Sequence, residues 1–178
     1  SHPLLYKILT EDSSYELSHF RGGLPSDGSF FTVARKILRA RGTVEQIAWG
    51  EKLLASEFSS NAELKQFFIE MAPMYSNKVR QEGINLRAFD TAILSYEAIN
   101  NGFSDFMRTF NYTPDLHKIK CPTLVFAGRD DWITAPEVVE KIAAAIPQAQ
   151  LKIFENSGHS VPLDEHQAYI QMLRDFIQ

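Results

Sequence analysis

The sequence predicts an α/β fold in which a helical part is followed by two successive strand–helix units. Residues 1–113 place apolar side chains at helical spacing, and no run of convincing length shows the two-residue period of a strand. From about residue 119 onwards, short apolar runs alternate with amphipathic stretches, which is typical of βα units and a parallel sheet. We therefore divide the chain into a helical part, residues 1–113, and a strand–helix part, residues 114–178.

Composition excludes several classes of function. The chain has 178 residues, a net charge of -4 and 44% hydrophobic residues, enough to bury the core of one domain. It has no basic cluster for nucleic acid, and no apolar run approaches the ~20 residues that a membrane span needs. Cys121 stands alone, which rules out an internal disulfide and a cysteine-based metal site. No basic head before an apolar stretch marks a signal peptide. These features predict a soluble, cytoplasmic protein without a metal or other cofactor.

Start and stop signals define the elements of the helical part. Phe31–Arg41 has helical spacing and stops before a glycine. Thr43 opens a Thr-Val-Glu-Gln capping box, and Ser60 opens a second box ahead of another apolar stretch. Leu86–Asn100 is predicted as one further helix. Loops or turns are predicted at 22–28 and 73–83.

The strand–helix part reads as strand, helix, strand, helix. Thr123–Ala127 is a short apolar run that stops at a glycine, as in a strand buried on both faces. A helix begins at Pro136, a second strand covers Leu151–Phe154, and an amphipathic helix covers Glu165–Ile177. Two parallel strands alone make an unstable sheet. We therefore expect further strands from an absent segment or from a pairing chain.

An acid and a histidine follow the two predicted strands. Asp131 comes after the first strand and His159 after the second. In open parallel sheets ligands bind beyond the carboxyl ends of the strands, so these loops are expected to meet. A carboxylate that accepts a bond from Nδ1–H orients a histidine, which then moves a proton between a hydroxyl nucleophile and a leaving group. The order of acid then histidine matches the last two members of a Ser…Asp…His triad.

Each residue also has a purely structural interpretation. Asp131 in a glycine-containing turn is by itself typical of a turn former, and His159 alone is compatible with a turn or a local cap. Asp130 is the competing candidate for the acid, and Trp132 is expected to pack beneath the loop. The placement of both polar residues after successive strands favours the catalytic interpretation.

Two segments of the strand–helix part resemble known sequence. Residues 122–136, Pro-Thr-Leu-Val-Phe-Ala-Gly-Arg-Asp-Asp-Trp-Ile-Thr-Ala-Pro, resemble the acid-bearing segment of α/β-hydrolases, and this frame selects Asp131 over Asp130. Residues 146–159 resemble the segment that carries the histidine of the family, 28 residues after the acid (159 − 131). The similarity is closest to the prolyl aminopeptidase-like branch. It implies that residues 1–113 form the helical cap or lid, and that residues 114–178 are the last two βα units of the hydrolase sheet, whose earlier strands are absent.

The resemblance also suggests substrate-binding residues. Prolyl aminopeptidases bind the free amine of the substrate with lid carboxylates, and the segment around Asp105 resembles one of these, with aspartate in place of glutamate. Glu97 and Glu70 are further candidates without motif support, and the competing interpretation, that all three are solvated helix charges, is the favoured one. Trp132 stands where some relatives have a second carboxylate, which argues against strict specificity for amino-terminal proline.

The nucleophile is not in this sequence. No Gly-x-Ser-x-Gly elbow occurs, and the resemblance places the elbow and the oxyanion donors before Ser1. We therefore expect a fragment: the C-terminal portion of a serine-type hydrolase for a small ester, amide or amino-terminal peptide bond, inactive without its N-terminal half or a pairing chain. The alternatives are a non-catalytic binding or assembly module with this fold, and a relative with an aspartate nucleophile such as a dehalogenase.

Overall fold

A computed structural model describes residues 29–89, 92–109 and 111–178. The predicted loop at 22–28 lies outside the described residues. In the helical part the helices are α1 Ser29–Arg41, α2 Val44–Ala55, α3 Asn61–Tyr75, α4 Asn77–Glu82, α5 Tyr96–Asn101 and α6 Met107–Thr109. Leu86–Phe89 and Thr113–Lys118 are 3-10 turns, and Gly102–Phe106 is a π-helical turn. None of the described helices is both long and apolar enough to cross a bilayer.

The predicted helix starts at Thr43 and Ser60 are confirmed. The side chain of Thr43 accepts a hydrogen bond from the backbone N–H of Gln46, whose side chain in turn accepts from Thr43 N–H, so the capping box is complete. The hydroxyl of Ser60 accepts from Glu63 N–H at the start of α3. These bonds satisfy donors that a helix start leaves unpaired, so the local sequence fixes where both helices begin.

The prediction of loops at 73–83 is wrong. α3 continues through Pro73 to Tyr75, and α4 occupies Asn77–Glu82. Met74 is 5% exposed in the last turn of α3, so burial in the core holds this turn in helical form despite the proline. Ser76 then caps α4 by accepting from Val79 N–H at 3.1 Å.

The prediction of one helix over Leu86–Asn100 is also wrong. Its first residues form a 3-10 turn, and α5 begins only at Tyr96, after the N-cap Ser95. Ile93, which contributes to the apparent helical period, is 98% exposed. Leu94 and Ile99 do pack against the core, so only part of the apolar spacing marks a buried face. The cap at Ser95 decided the start of the helix.

The strand–helix part follows the predicted order. β1 covers Thr123–Gly128 and β2 covers Ala149–Phe154, paired in parallel from Thr123 opposite Ala149 to Gly128 opposite Phe154. Helix α7, Pro136–Ala145, connects them and packs on both strands. The short helix α8, Val161–Asp164, precedes the last helix α9, His166–Ile177. The predicted α/β fold class is confirmed. Because the two strands are parallel, their carboxyl ends lie side by side.

One hydrophobic core joins the helical part to the strand–helix part. Phe67 and Met71 of α3 are fully buried in the same cluster as Trp132 and Ile133, which follow β1. Trp132 packs beneath its loop as expected, with 0% of its surface exposed. The helical part therefore packs at the carboxyl ends of the two strands.

Candidate active site

Asp131 is held in a fixed orientation at the end of β1. Its side chain is 3% exposed, and Oδ1 accepts hydrogen bonds from the backbone N–H groups of Ile133 and Thr134, each at 2.9 Å. The hydroxyl of Thr134 donates to Oδ2 at 2.5 Å. A buried carboxylate needs such donors, because an unpaired charge away from water is very costly. The turn itself thus aims one carboxylate oxygen at the loop that follows β2.

His159 lies on that second loop and meets the carboxylate. Its Nδ1 is 2.8 Å from Oδ2 of Asp131 and 3.2 Å from the hydroxyl of Thr134. Since the ionised carboxylate only accepts hydrogen bonds, Nδ1 must carry the proton. This tautomer leaves Nε2 as the nitrogen that can take up a proton from a substrate or a nucleophile.

The electrostatics keep the acid ionised. Burial by itself would raise the pKa of Asp131, but the charge of His159 and the hydrogen bonds from His159 and Thr134 outweigh it. The pKa of Asp131 is therefore lowered from its ordinary value, and the carboxylate is charged at neutral pH. A charged, oriented acid next to an imidazole suits the transfer of a proton at Nε2.

Two glycines allow the loops to approach this closely. A Cβ added at Gly128 would lie 2.0 Å from the carbonyl oxygen of Gly158. A Cβ added at Gly158 would lie 2.6 Å from the carbonyl oxygen of Tyr75, at the end of α3. The end of β1, the histidine loop and α3 are thus packed backbone against backbone.

Tyr75 covers the histidine from the helical side. Its ring stands edge-on to the imidazole of His159 and to the ring of Trp132, with centroids 5.6 Å away in both cases. Burial, aided by the negative charge of Asp131, raises the pKa of Tyr75, so the phenol stays neutral. The sequence places Tyr75 at the end of an aromatic stretch, but gives no sign of its contact with the histidine.

The competing acid, Asp130, points away from His159. Its Oδ2 accepts from Nδ2 of Asn77 at 2.8 Å, and its carboxylate lies 3.5 Å from the guanidinium groups of Arg41 and Arg80. The two adjacent aspartates therefore have different partners, and Asp131 is the one that contacts the imidazole.

Of the remaining predicted site residues, those with described side chains are not hydrogen-bonded to this pair. Glu97 is exposed on α5 and accepts from the hydroxyl of Ser95 at 3.1 Å, while Glu70 is exposed and bonded by Gln66 at 2.7 Å. Trp132 lies in the core behind the loop rather than at an accessible surface. Asp105 belongs to the π-helical turn, and its side chain lies outside the described part of the chain.

Sequence reasoning missed two residues that support the pair. Thr134 stands three positions after Asp131, a spacing at which a side chain can bond an acid in a turn, so the local pattern carried a signal. Asp164 bonds backbone groups 86 and 87 residues away, and no local pattern reports such contacts.

A cavity of about 290 Å³ lies in the helical part, close to the ion pairs of Arg41 and Arg80 with Asp130. It is lined by Arg41, Gln46, Pro73, Met74 and Arg80, and thus by neither member of the acid–histidine pair. Among the described residues, no group of three or more His, Cys, Asp or Glu side chains is arranged to hold a metal ion.

Known proteins with similar sequences are hydrolases. The sequence profile of the family described as "alpha/beta hydrolase fold" matches residues 24–166. The proline iminopeptidase PfmaB of Pestalotiopsis fici is 31% identical over 121 residues, which is 68% of this chain and 43% of that protein. The proline iminopeptidase of Lacticaseibacillus rhamnosus is 38% identical over 68 residues, 38% of this chain and 23% of that protein. The chain thus spans less than half the length of these relatives.

Solved structures show the same fold. An alpha/beta fold family hydrolase from Bacillus anthracis superposes with a TM-score of 0.65 at 19% identity, covering 87% of this chain and 56% of that one. VinJ superposes with a TM-score of 0.61, also at 19% identity, covering 86% of this chain and 54% of that one. With the family profile matching most of the sequence and this fold around an acid and a histidine at the strand ends, the chain belongs to the α/β-hydrolase family.

Proposed function

We propose that this chain is the C-terminal portion of a serine-type hydrolase that cleaves a small ester, amide or amino-terminal peptide bond. The observation that carries the proposal is the 2.8 Å contact between Nδ1 of His159 and Oδ2 of the buried Asp131. Residues that only form a turn at the surface do not require a buried carboxylate bonded to an imidazole. A buried acid that orients an imidazole is what proton transfer to and from a nucleophile requires.

In the proposed mechanism, Nε2 of His159 takes the proton of a serine hydroxyl as the oxygen attacks the carbonyl carbon of the substrate. The imidazolium then gives this proton to the leaving alcohol or amine, and the C–O or C–N bond breaks. Water attacks the acyl-enzyme in the same way, and its proton returns through His159 to the serine. Asp131 stays ionised throughout and stabilises the imidazolium.

The serine and the oxyanion donors come, in this proposal, from residues outside this chain. The sequence has no Gly-x-Ser-x-Gly elbow, and it aligns with less than half of its relatives' length. Among the described residues the sheet has two strands, β1 and β2, and two parallel strands alone do not make a stable sheet. In this proposal the remaining strands come from the preceding segment or from a pairing chain.

For the substrate, the names of the matched relatives favour a bond next to a free amino terminus. Residues 1–113 are proposed to act as the lid, with Tyr75 over the histidine and an acidic side chain for the amine. Glu97 and Asp105 remain the proposed amine ligands. Trp132 is proposed to act from the core by supporting Tyr75.

The test is reconstitution. The chain is joined to the N-terminal half of a homologous hydrolase core and assayed with p-nitrophenyl esters and with aminoacyl p-nitroanilides, proline among them. His159→Ala and Asp131→Asn are expected to lower kcat at least about 1,000-fold, because the first removes the base and the second leaves it in the wrong tautomer. The matched controls are His166→Ala on the surface of α9 and Asp115→Asn in an exposed ion pair, and both should retain activity.

The absence of the elbow favours one other candidate, a non-catalytic binding or assembly module. It predicts a folded, reconstituted complex that turns over none of these substrates. It also predicts that any residual turnover is the same in the His159→Ala variant, and that outcome would exclude the hydrolase.

A further inference from the structure

Asp164 holds the loop that carries His159. It lies at the end of α8, and its Oδ2 accepts from the backbone N–H of Gly158, the residue directly before the histidine, at 2.8 Å. On the other side of the histidine, the N–H of Ser160 donates to the carbonyl oxygen of Tyr75 at 3.0 Å. Both neighbours of the histidine are thus anchored by groups outside the loop.

The same carboxylate binds the start of α4. Its Oδ1 accepts from Lys78 N–H at 2.9 Å and from the hydroxyl of Ser76, and its Oδ2 accepts from Asn77 N–H at 3.1 Å. Ser76 is 2% exposed, so this contact is shielded from water. The first N–H groups of a helix have no partner within the helix and favour a negative charge. Asp164 therefore joins the histidine loop to the helical part through one carboxylate.

The acid loop is tied to the same place. Nδ2 of Asn77 donates to Oδ2 of Asp130, the residue directly before the buried acid, at 2.8 Å. Arg80 lies 3.5 Å from the same carboxylate. Residues 75–80, which we term the junction segment, thus contact the loop of the acid and the loop of the histidine at the same time.

We propose that Asp164 is a positioning residue for His159, and that through it the junction segment of the helical part fixes the histidine against Asp131. This rests on the proposed function only in taking His159 as the base. Asp164 does not contact the reacting atoms. It acts by holding Gly158, and a base must be held to within about 0.5 Å of its working position.

Glu165, a further anchor of the loop, does not substitute for Asp164. Glu165 accepts from Asn156 N–H at 2.9 Å and from the hydroxyl of Ser157 at 2.7 Å, which fixes the beginning of the loop. Neither bond reaches Gly158 or the junction segment. Removing Asp164 therefore frees Gly158, on one side of the histidine, while Ser160 stays bonded to Tyr75 and the beginning of the loop stays in place.

The test is NMR of the Nδ1 proton of His159 in this chain, with no substrate and no nucleophile. In the unaltered chain this proton is expected far downfield and protected, because it is bonded to a buried carboxylate. In Asp164→Asn, the side-chain amide cannot accept from all the N–H groups that the carboxylate serves. We expect the resonance to move upfield and to exchange with water roughly tenfold faster, the effect of losing one hydrogen bond to a charged group.

Two further variants make the result specific. Glu63→Gln removes a carboxylate that also bonds a backbone N–H and a serine hydroxyl, at the opposite end of α3, and should leave the resonance in place. Ser76→Ala removes one partner of Asp164 together with the cap on Val79 N–H, and keeps the backbone bonds to Asp164, so it should give a smaller change in the same direction. It also serves if Asp164→Asn does not fold.

The proposal is overturned if a folded Asp164→Asn chain, or a folded Ser76→Ala chain where the first does not fold, keeps the resonance and its exchange rate unchanged. An equal change in Glu63→Gln would overturn it as well, because the effect would then reflect general stability. Since the measurement needs no turnover, it fails or succeeds separately from the hydrolase assay.

Discussion

Asp130 and Asp131 show how adjacent identical residues acquire different roles. In the turn after β1, Asp131 is buried against His159, while the side chain of Asp130 keeps 36% of its surface exposed. The inward acid is bonded by the N–H groups of its own turn, and the outward one by Asn77. At this scale the environment, rather than the residue type, determines the chemistry.

Thr134 is expected to hold the acid through its hydroxyl. Thr134→Val keeps the shape and removes the bond to Oδ2 of Asp131, while both backbone bonds to Oδ1 remain. We expect the free energy of unfolding to fall by about 1.5–3 kcal/mol, the worth of a hydrogen bond to a charged group. Urea denaturation measures it. Thr134→Ser, which keeps the hydroxyl, should lose much less, and an equal loss in both variants would contradict this assignment.

The lowered pKa of Asp131 predicts how stability depends on pH. A carboxyl whose pKa is lower in the folded than in the unfolded state stabilises the fold above its unfolded pKa of about 3.9. That contribution is lost as the pH falls through the folded pKa. Urea denaturation should therefore show a larger difference in stability between the unaltered chain and Asp131→Asn at about pH 6 than at about pH 2. A difference that stays constant over this range would show that the folded-state pKa is not lowered.

The end of β1 and the histidine loop approach each other closely at Gly128, so a larger side chain is not tolerated at this position. In Gly128→Ala the new Cβ would collide with backbone oxygens of Ser157 and Gly158, which cannot rotate away as a side chain can. We expect the free energy of unfolding to fall by about 3 kcal/mol, the upper part of the usual range for overpacking. The downfield Nδ1 proton of His159 should be lost as well, because the collision separates the acid loop from the histidine loop.

The matched control is Gly102→Ala. A Cβ at Gly102 meets nothing within 4 Å, and its backbone is helical, with φ at -59°. The free energy of unfolding should stay the same or rise slightly, because alanine restricts the unfolded chain. Equal losses at both glycines would show that the close approach at Gly128 is not what matters.

For the whole molecule, the shared core predicts cooperative unfolding. The two tryptophans belong to different parts of the chain: Trp49 on α2 packs against the core, and Trp132 of the strand–helix part is buried within it. In Trp49→Phe and in Trp132→Phe, the fluorescence of the remaining tryptophan and the far-UV circular dichroism should therefore change at the same urea concentration. Separate midpoints within either variant would mean that the two parts unfold independently.

Much of the fold was predictable because its signals are local. The caps at Thr43 and Ser60, the proline at the start of α7 and the apolar run of β1 each reflect a preference of a few neighbouring residues. The wrong predictions were those at 73–83 and over Leu86–Asn100. Burial of Met74, which depends on distant parts of the chain, decided the first segment. The cap at Ser95 decided where the helix of the second segment begins.

The sequence by itself determined the order of strands and helices after residue 119 and placed an acid and a histidine after successive strands. It did so because helix caps, strand runs and the spacing from Asp131 to His159 depend only on neighbours along the chain. Only the tertiary structure decided that Tyr75 covers the histidine and that Asp164 ties its loop to α4. These contacts join residues far apart in sequence, so they exist only after the helical part has packed onto the ends of the strands.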